Sequence, residues 1–151
     1  MPGLLIVYHT QSGSCARLAT AAAAGARAEG SVPVTLRRAC DAGVAELAVA
    51  DGLLLVAAEN SGALSGGAKD FLDRVFYPAI ERSIVLPCAL LISAGNDGRG
   101  AVAQAQRILR GIPFTAAAEP VILRGEVGEA QLATARDSGM AMAAGLGMGI
   151  F

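Results

Sequence analysis

A short polar loop near the start of the chain contains the residue types that bind phosphate. Residues 9–15 read His-Thr-Gln-Ser-Gly-Ser-Cys, between the apolar run Leu4–Tyr8 and an Ala-rich stretch of helical composition. The first backbone N–H groups of a helix lack partners within the helix and carry partial positive charge. Phosphate oxygens accept hydrogen bonds from such groups. We therefore expect a phosphate site formed by Thr10, Gln11, Ser12, Gly13, Ser14 and Cys15.

Several residues in this segment have a second interpretation. The hydroxyl groups at positions 10, 12 and 14 could cap the helix that follows, because Ser and Thr are preferred at helix N-caps. We expect Cys15 to be a packed thiol. His9 either touches the ligand or only ends the strand. Arg17, one turn into the helix, either reaches a phosphate or is an ordinary surface arginine.

Two further polar loops follow apolar runs. Residues 59–65 follow Gly52–Ala57, and residues 93–99 follow Leu86–Ile92. Both loops are rich in Gly, Ser, Asn or Asp. In an open α/β sheet, ligands bind beyond the carboxyl ends of the strands, where the strand order reverses. Three such loops, each after its own strand, predict one shared ligand site.

Five apolar runs predict strands, and the segments between them predict helices. The runs lack the alternation of half-buried strands, which favours strands buried on both faces of a parallel sheet. The fifth run is interrupted by Glu119-Pro120, as in an edge or bulged strand. The alternation of strands and helices predicts an open α/β sheet with helices on both faces, in one domain over residues 1–151. The predicted strands are Leu4–Tyr8, Val32–Leu36, Gly52–Ala57, Leu86–Ile92 and a segment around Phe114–Leu123, and the predicted helices are Ser14–Glu29, Val44–Val49, Gly66–Arg82, Gly100–Arg110 and Glu129–Leu146.

Charged residues near the second loop have both structural and functional interpretations. Glu59 ends a buried strand, where a carboxylate is costly unless it is exposed or hydrogen-bonded. It either lines the ligand site or marks the end of the strand. Lys69 and Asp73 are four residues apart, as are Asp70 and Arg74. We expect both pairs to be solvated ion pairs on one helix.

Composition excludes several classes of protein. The chain has 151 residues, of which 54% are hydrophobic and 17% charged, so it is too apolar for a disordered protein. Its net charge of −1 and lack of a basic patch argue against nucleic-acid binding. No apolar run approaches the roughly 18 residues of a membrane span, and we expect a cytoplasmic protein. Three scattered cysteines and one histidine do not form a ligand set, so we expect no metal site.

Other α/β families with related topology require residues that this chain lacks. A P-loop needs G-x-x-x-x-G-K-[ST], and the first loop has neither the lysine nor the first glycine. A G-x-S-x-G nucleophile elbow is absent. The cysteines do not fit the Cys-x5-Arg pattern of a low-mass tyrosine phosphatase, and the first strand ends in His9 and Thr10 rather than the acidic residues of a receiver domain.

The first two loops resemble those of flavodoxin-like FMN proteins. The first resembles the phosphate loop Ser/Thr-x-Thr/Ser-Gly-Asn-Thr, with Ser14 and Cys15 in place of Asn and Thr. Residues 65–74 read Ser-Gly-Gly-Ala-Lys-Asp-Phe-Leu-Asp-Arg and resemble the second loop and helix of NAD(P)H-dependent FMN reductases and quinone reductases. The resemblance covers about the first hundred residues. It implies a three-layer, twisted, open parallel sheet of five strands in the order 2-1-3-4-5.

The resemblance also implies FMN as the cofactor. The phosphate would lie in the first loop and the isoalloxazine ring against the other two. No aromatic residue falls inside the second or third loop, so ring stacking by these loops is not expected. The residues implied for the ring are Glu59, Asn60, Ser61, Gly62, Ala63 and Leu64 on one side and Ser93, Gly95, Asn96 and Gly98 on the other.

Three functions remain open from the sequence. The first is an oxidoreductase in which NAD(P)H reduces FMN and the flavin reduces a small acceptor such as a quinone, with no side chain acting as acid or base. The second is an electron carrier of the flavodoxin type, although a net charge of −1 gives little steering toward partners. The third is a non-catalytic relative with weak or lost FMN binding, which the residues at positions 14 and 15 motivate. The resemblance also implies a homo-oligomer in which a neighbouring subunit supplies aromatic residues.

Overall fold

A computed structural model describes residues 3–151, which fold around one twisted sheet. The strands are β1 (Leu4–Tyr8), β2 (Val34–Arg38), β3 (Gly52–Asn60), β4 (Ala63–Leu64), β5 (Pro87–Ala94), β6 (Thr115–Ala116) and β7 (Val121–Arg124). The helices are α1 (Ser14–Glu29), α2 (Val44–Ala48), α3 (Gly66–Glu81), α4 (Arg99–Gly111) and α5 (Glu129–Met148), with a short 3-10 helix at Ala39–Asp41. None of the described helices is long and apolar enough to cross a bilayer.

The parallel strands follow the order β2-β1-β3-β5, with β6 and β7 one after the other along the free edge of β5. β6 pairs with the start of β5 and β7 with its end, so these two pieces form one interrupted fifth strand. Counted this way, the parallel strands follow the predicted order 2-1-3-4-5, and the sheet differs from the prediction in detail by the antiparallel strand β4 and by the break between β6 and β7. Pro120 lies in the interruption, where its missing N–H removes no ladder hydrogen bond.

Both faces of the sheet are covered by helices. In β1, Leu4 and Ile6 belong to a core shared with α1 and α5, whereas Leu5 and Val7 belong to a core shared with α2, α3 and α4. All four side chains are at most 2% exposed. Burial on both faces explains why the strand sequences do not alternate.

α1 and α5 pack closely because small residues form their contact. A Cβ atom on Gly25 would overlap the backbone of Arg136, and one on Gly139 would overlap the backbone of Ala22. The Ala-rich sequence of α1 thus has a packing reason as well as a high helix propensity.

The second polar loop is a β-hairpin, which corrects the sequence prediction. β3 continues past Ala57 to Asn60 and pairs antiparallel with β4, through Glu59 with Leu64 and Asn60 with Ala63. The turn lies only at Ser61 and Gly62, whose φ angles are 51° and 77°. Two consecutive positive φ angles suit a tight hairpin turn, so the chain reverses without leaving the sheet.

The other element boundaries deviate by smaller amounts. β1 and α1 are as predicted, and β2 begins at Val34 rather than Val32. The two ion pairs on α3 are confirmed, with N–O distances of 2.8 Å in each. Arg74 does more than pair with Asp70, because its guanidinium also donates to the carbonyl oxygens of Ala39 (2.7 Å) and Ala42 (2.8 Å). It therefore holds the 3-10 helix against α3.

Candidate functional site

A cleft of about 260 Å³ lies at the carboxyl ends of β1, β3 and β5. All three polar loops contribute to it. It lies where the chain crosses from β2 over β1 to β3, and thus where the strand order reverses. Nine of the predicted site residues line this cleft, namely Thr10, Gln11, Ser12, Ser14, Cys15, Glu59, Asn60, Ser93 and Gly95.

The remaining predicted residues lie outside the lining. Ser61 and Gly62 form the hairpin turn, and neither residue of β4 lines the cleft. The residues not brought to the cleft are Gly13, Ser61, Gly62, Ala63, Leu64, Asn96 and Gly98.

The first loop leaves the start of α1 open to the cleft. Gly13 is the N-cap, with a φ of 99°, and no described side chain caps the helix. The Thr10 hydroxyl accepts the N–H of Gly13 at 3.0 Å, and the Ser12 hydroxyl donates to Ser14 at 3.3 Å. The first intrahelical bond runs from Arg17 N–H to Gly13, so the N–H groups of the first turn lack helical partners. This arrangement favours the phosphate interpretation over the capping interpretation.

The thiol of Cys15 is packed, as expected. The residue is 2% exposed and belongs to the core beneath α1. Burial raises the pKa of this thiol to about 11, so it is neutral near pH 7. What Cys15 can offer a ligand is its backbone N–H rather than its sulfur.

Glu59 both lines the cleft and holds the third loop. Its carboxylate accepts the N–H of Asn96 at 3.1 Å and that of Gly98 at 2.9 Å. Gly98 is the N-cap of α4, with a φ of 70°. Arg124 donates to the carbonyl oxygen of Asn96 at 3.0 Å from the other side. The two amides of residues 96 and 98 are thus engaged within the protein, which the sequence did not indicate.

A hydrogen bond joins the first loop to the hairpin. The side-chain amide of Asn60 donates to the side-chain oxygen of Gln11 at 2.7 Å. The backbone N–H of Leu64 donates to the Gln104 side chain of α4 at 2.9 Å. The hairpin is therefore tied to the loop before α1 and to α4, which fixes one wall of the cleft.

Ser65 is a cleft residue that was not among the predicted site residues. It is the N-cap of α3 and is fully buried, and its backbone N–H donates to Ala58 at 2.9 Å. Its hydroxyl has no hydrogen-bond partner among residues 3–151. A buried hydroxyl left unpaired costs about 1–3 kcal/mol. This orphan group is an observation that fits a polar ligand in the cleft.

His9 and Gly67 are in close contact. The His9 N–H donates to Val56 at 3.2 Å, and its ring lies where a Cβ atom on Gly67 would be. His9 also lines the cleft. His9 therefore ends the strand pairing and forms part of the cleft wall, and its contact with a ligand stays a prediction.

A fourth loop, residues 125–128 after β7, also reaches the site. Gly125 lines the cleft with a φ of 79°. Arg17 is exposed and donates to the carbonyl oxygen of Val127 at 2.9 Å, which ties α1 to this loop. The signal in the sequence was a glycine directly after the last strand. The other lining residues outside the predicted set are Ala58 and Ala94.

The electrostatics of the cleft depend on backbone groups. The described lining residues include no Lys or Arg, and Glu59 is the one carboxylate among them. The described residues contain no group of three His, Cys, Asp or Glu side chains that could hold a metal ion. An anion in this cleft would be stabilised by amide groups and hydroxyls.

Solved structures share this architecture, although no protein-family model and no curated protein matches the chain. A flavodiiron core from Synechocystis has a TM-score of 0.80 at 17% identity, covering 98% of this chain and 36% of that chain. A flavodoxin, WrbA-like protein from Agrobacterium tumefaciens has a TM-score of 0.78 at 20% identity, covering 97% and 98%. Two-electron reduced flavodoxin from Megasphaera elsdenii has a TM-score of 0.77 at 20% identity, covering 93% and 98%. The chain has the flavodoxin-like fold.

The extent of these likenesses differs. The chain spans about a third of the flavodiiron core and almost the full length of both flavodoxins. At these identities the likeness establishes the flavodoxin-like fold, and the fold in turn accounts for the position of the cleft at the reversal of strand order.

Proposed function

We propose that residues 1–151 form one FMN-binding domain and that the protein is an oxidoreductase. When bound, FMN would accept hydride from NAD(P)H and pass electrons to a small acceptor such as a quinone. The observation that carries this proposal is the convergence of three polar loops on one cleft that contains unpaired helix amides and an unpaired buried hydroxyl.

The phosphate end of the cofactor fits the first loop. The N–H groups at the start of α1 lack helical partners, and the loop is fixed by the bond between Thr10 and Gly13. Helix amides and the positive end of the helix dipole favour an anion without a Lys or Arg. The residues that would hold the phosphate are Thr10, Gln11, Ser12, Gly13, Ser14 and Cys15.

The ring end would lie between the hairpin and the third loop. Asn60 and Gln11 are joined at 2.7 Å, and Glu59 fixes the loop that starts α4. These contacts would keep the walls rigid and limit the water that reaches the ring. The cleft residues proposed for this end are Glu59 and Asn60 on one side and Ser93 and Gly95 on the other.

An electron carrier is the second candidate. Its support is the match over almost the full length of two flavodoxins. Against it stands the net charge of −1, because carriers that dock on partner proteins use charge to steer the encounter. Reduction by NAD(P)H without a second protein separates the two functions.

The test is an absorbance spectrum of the purified protein with and without added FMN. Flavin bands that remain after desalting and bleach on addition of NAD(P)H support the reductase. Bands that bleach only with dithionite support the carrier. If no FMN is retained at any concentration, the proposed cofactor is wrong and the chain is a relative that has lost flavin binding.

A homo-oligomer would compensate for the lack of aromatic residues near the ring. We propose that a neighbouring subunit supplies an aromatic side chain, since neither the hairpin nor the third loop contains one. Light scattering after size-exclusion chromatography tests this directly. A monomer at working concentration contradicts it and leaves the FMN site as proposed.

A further inference from the structure

Two helices begin at the same cleft from opposite faces of the sheet. α1 follows β1 and packs on one face, whereas α3 follows the hairpin after β3 and packs on the other. Because β1 and β3 are neighbours, both helices begin at the same edge of the sheet. Ser14 and Cys15 line the cleft from α1, and Ser65, the N-cap of α3, lines it from the other side.

The hydroxyl of Ser65 has no explanation within the described protein. The residue is 0% exposed and its oxygen has no partner among residues 3–151. It forms no capping bond to α3. Alanine would occupy nearly the same volume without the cost of an unpaired buried polar group. A group of this kind points to a partner that binds in the cleft.

We propose that Ser65 donates its hydroxyl hydrogen to the phosphoryl group of the ligand in this cleft. The phosphate would then lie between the N-termini of α1 and α3 rather than in the first loop alone. Since no Lys or Arg lines the described cleft, a second helix N-terminus and one further donor supply stabilisation that a cationic side chain would otherwise give. This inference rests on the proposed function for the identity of the ligand as FMN.

Ser65→Ala tests the inference through the affinities for FMN and for riboflavin and through the stability of the protein without ligand. FMN and riboflavin differ only in the phosphate. The variant should therefore bind FMN about tenfold or more weakly and bind riboflavin with unchanged affinity, as expected for the loss of one hydrogen bond to a charged group. The protein without ligand should be as stable as the parent or more stable in urea, because an unpaired hydroxyl has been removed.

Ser31→Ala is the matched control. The Ser31 hydroxyl donates to Glu29 at 2.8 Å after the end of α1, away from the cleft. This variant loses a partnered hydroxyl, so it should be slightly less stable and bind FMN unchanged.

The outcomes separate this inference from the proposed function. If the parent binds FMN and Ser65→Ala binds it equally well, the role of Ser65 is wrong and the FMN proposal stands. Loss of stability in the ligand-free variant would also overturn the inference, because the hydroxyl would then have a partner within the protein.

If the parent binds no FMN, inorganic phosphate replaces FMN as the probe. A phosphate-dependent rise in melting temperature that Ser65→Ala abolishes supports the two-helix anion site, and no rise in either protein overturns it.

Discussion

The carboxylate of Glu59 accepts the backbone N–H of Gly98 at 2.9 Å. The end of β3 is thereby joined to the start of α4. The second carboxylate oxygen accepts the N–H of Asn96 at 3.1 Å, so one side chain fixes both sides of the bend in the third loop. The position of that loop over the cleft depends on this contact.

Glu59→Gln should loosen the third loop. A glutamine offers one acceptor oxygen and an NH2 group that cannot accept, so one of the two N–H groups loses its partner. We expect the free energy of unfolding to fall by about 1 kcal/mol and FMN to bind more weakly. Urea unfolding and fluorescence titration with FMN measure the two effects. Glu81→Gln, an exposed change at the last residue of α3, is the control, and equal behaviour of the two variants would contradict the role of Glu59.

Gly67→Ala should disturb the cleft wall through His9. A Cβ atom at position 67 would overlap the His9 ring, whereas one at Gly66 would meet nothing within 4 Å. We expect Gly67→Ala to lower the free energy of unfolding by about 1–3 kcal/mol, and Gly66→Ala to leave it nearly unchanged. Urea unfolding of the two neighbouring variants makes the comparison. Equal stability of both would mean that the ring moves aside without cost.

Features of the site that depend on local sequence were predictable. The helix predicted over Ser14–Glu29 is followed by Gly30, which ends α1 in the left-handed conformation with a φ of 82°, a conformation that glycine adopts without penalty. The polar loop after β1 was also predictable from local sequence, since polar residues between a buried strand and a helix form the connection between the two. The open α/β sheet followed from the alternation of strands and helices, and the flavodoxin-like fold followed from the resemblance of the first two loops to those of FMN proteins.

Features that depend on distant partners were not predictable. The partners of Glu59 lie 37 and 39 residues away, and no spacing rule links them. Ser65 is an ordinary loop serine in the sequence, and only the three-dimensional packing leaves its hydroxyl without a partner. The hairpin at Ser61 and Gly62 is not evident from the sequence, because glycine and serine there mark a turn without giving its length.

The three cysteines should differ sharply in reactivity. Burial raises the pKa of the Cys15 thiol to about 11 and that of Cys88 to about 12, whereas Cys40 is exposed. Because the thiolate is the reactive form, a thiol reagent at pH 8 should label one cysteine rapidly in the native protein and three in urea. Mass spectrometry identifies the labelled residue. Rapid native labelling of Cys15 would contradict its packed environment and would reopen a chemical role for it.

The same two buried thiols should make stability fall at alkaline pH. Both pKa values are raised by burial from an ordinary value of 9.0, so the folded protein keeps protons that the unfolded chain releases. Their contribution is therefore complete below about pH 9 and is lost as the pH rises toward about 11 for Cys15 and about 12 for Cys88. Each thiol should lower the free energy of unfolding by up to about 1.4 kcal/mol per pH unit in that window.

Urea unfolding under reducing conditions at pH 8, 9 and 10 measures how steeply the free energy of unfolding falls with pH. Other groups also ionise there, so the informative quantity is the difference between variants: Cys15→Ala should flatten the slope, and Cys40→Ala should leave it unchanged. An unchanged slope in Cys15→Ala would mean that its thiol ionises alike in the folded and unfolded chains.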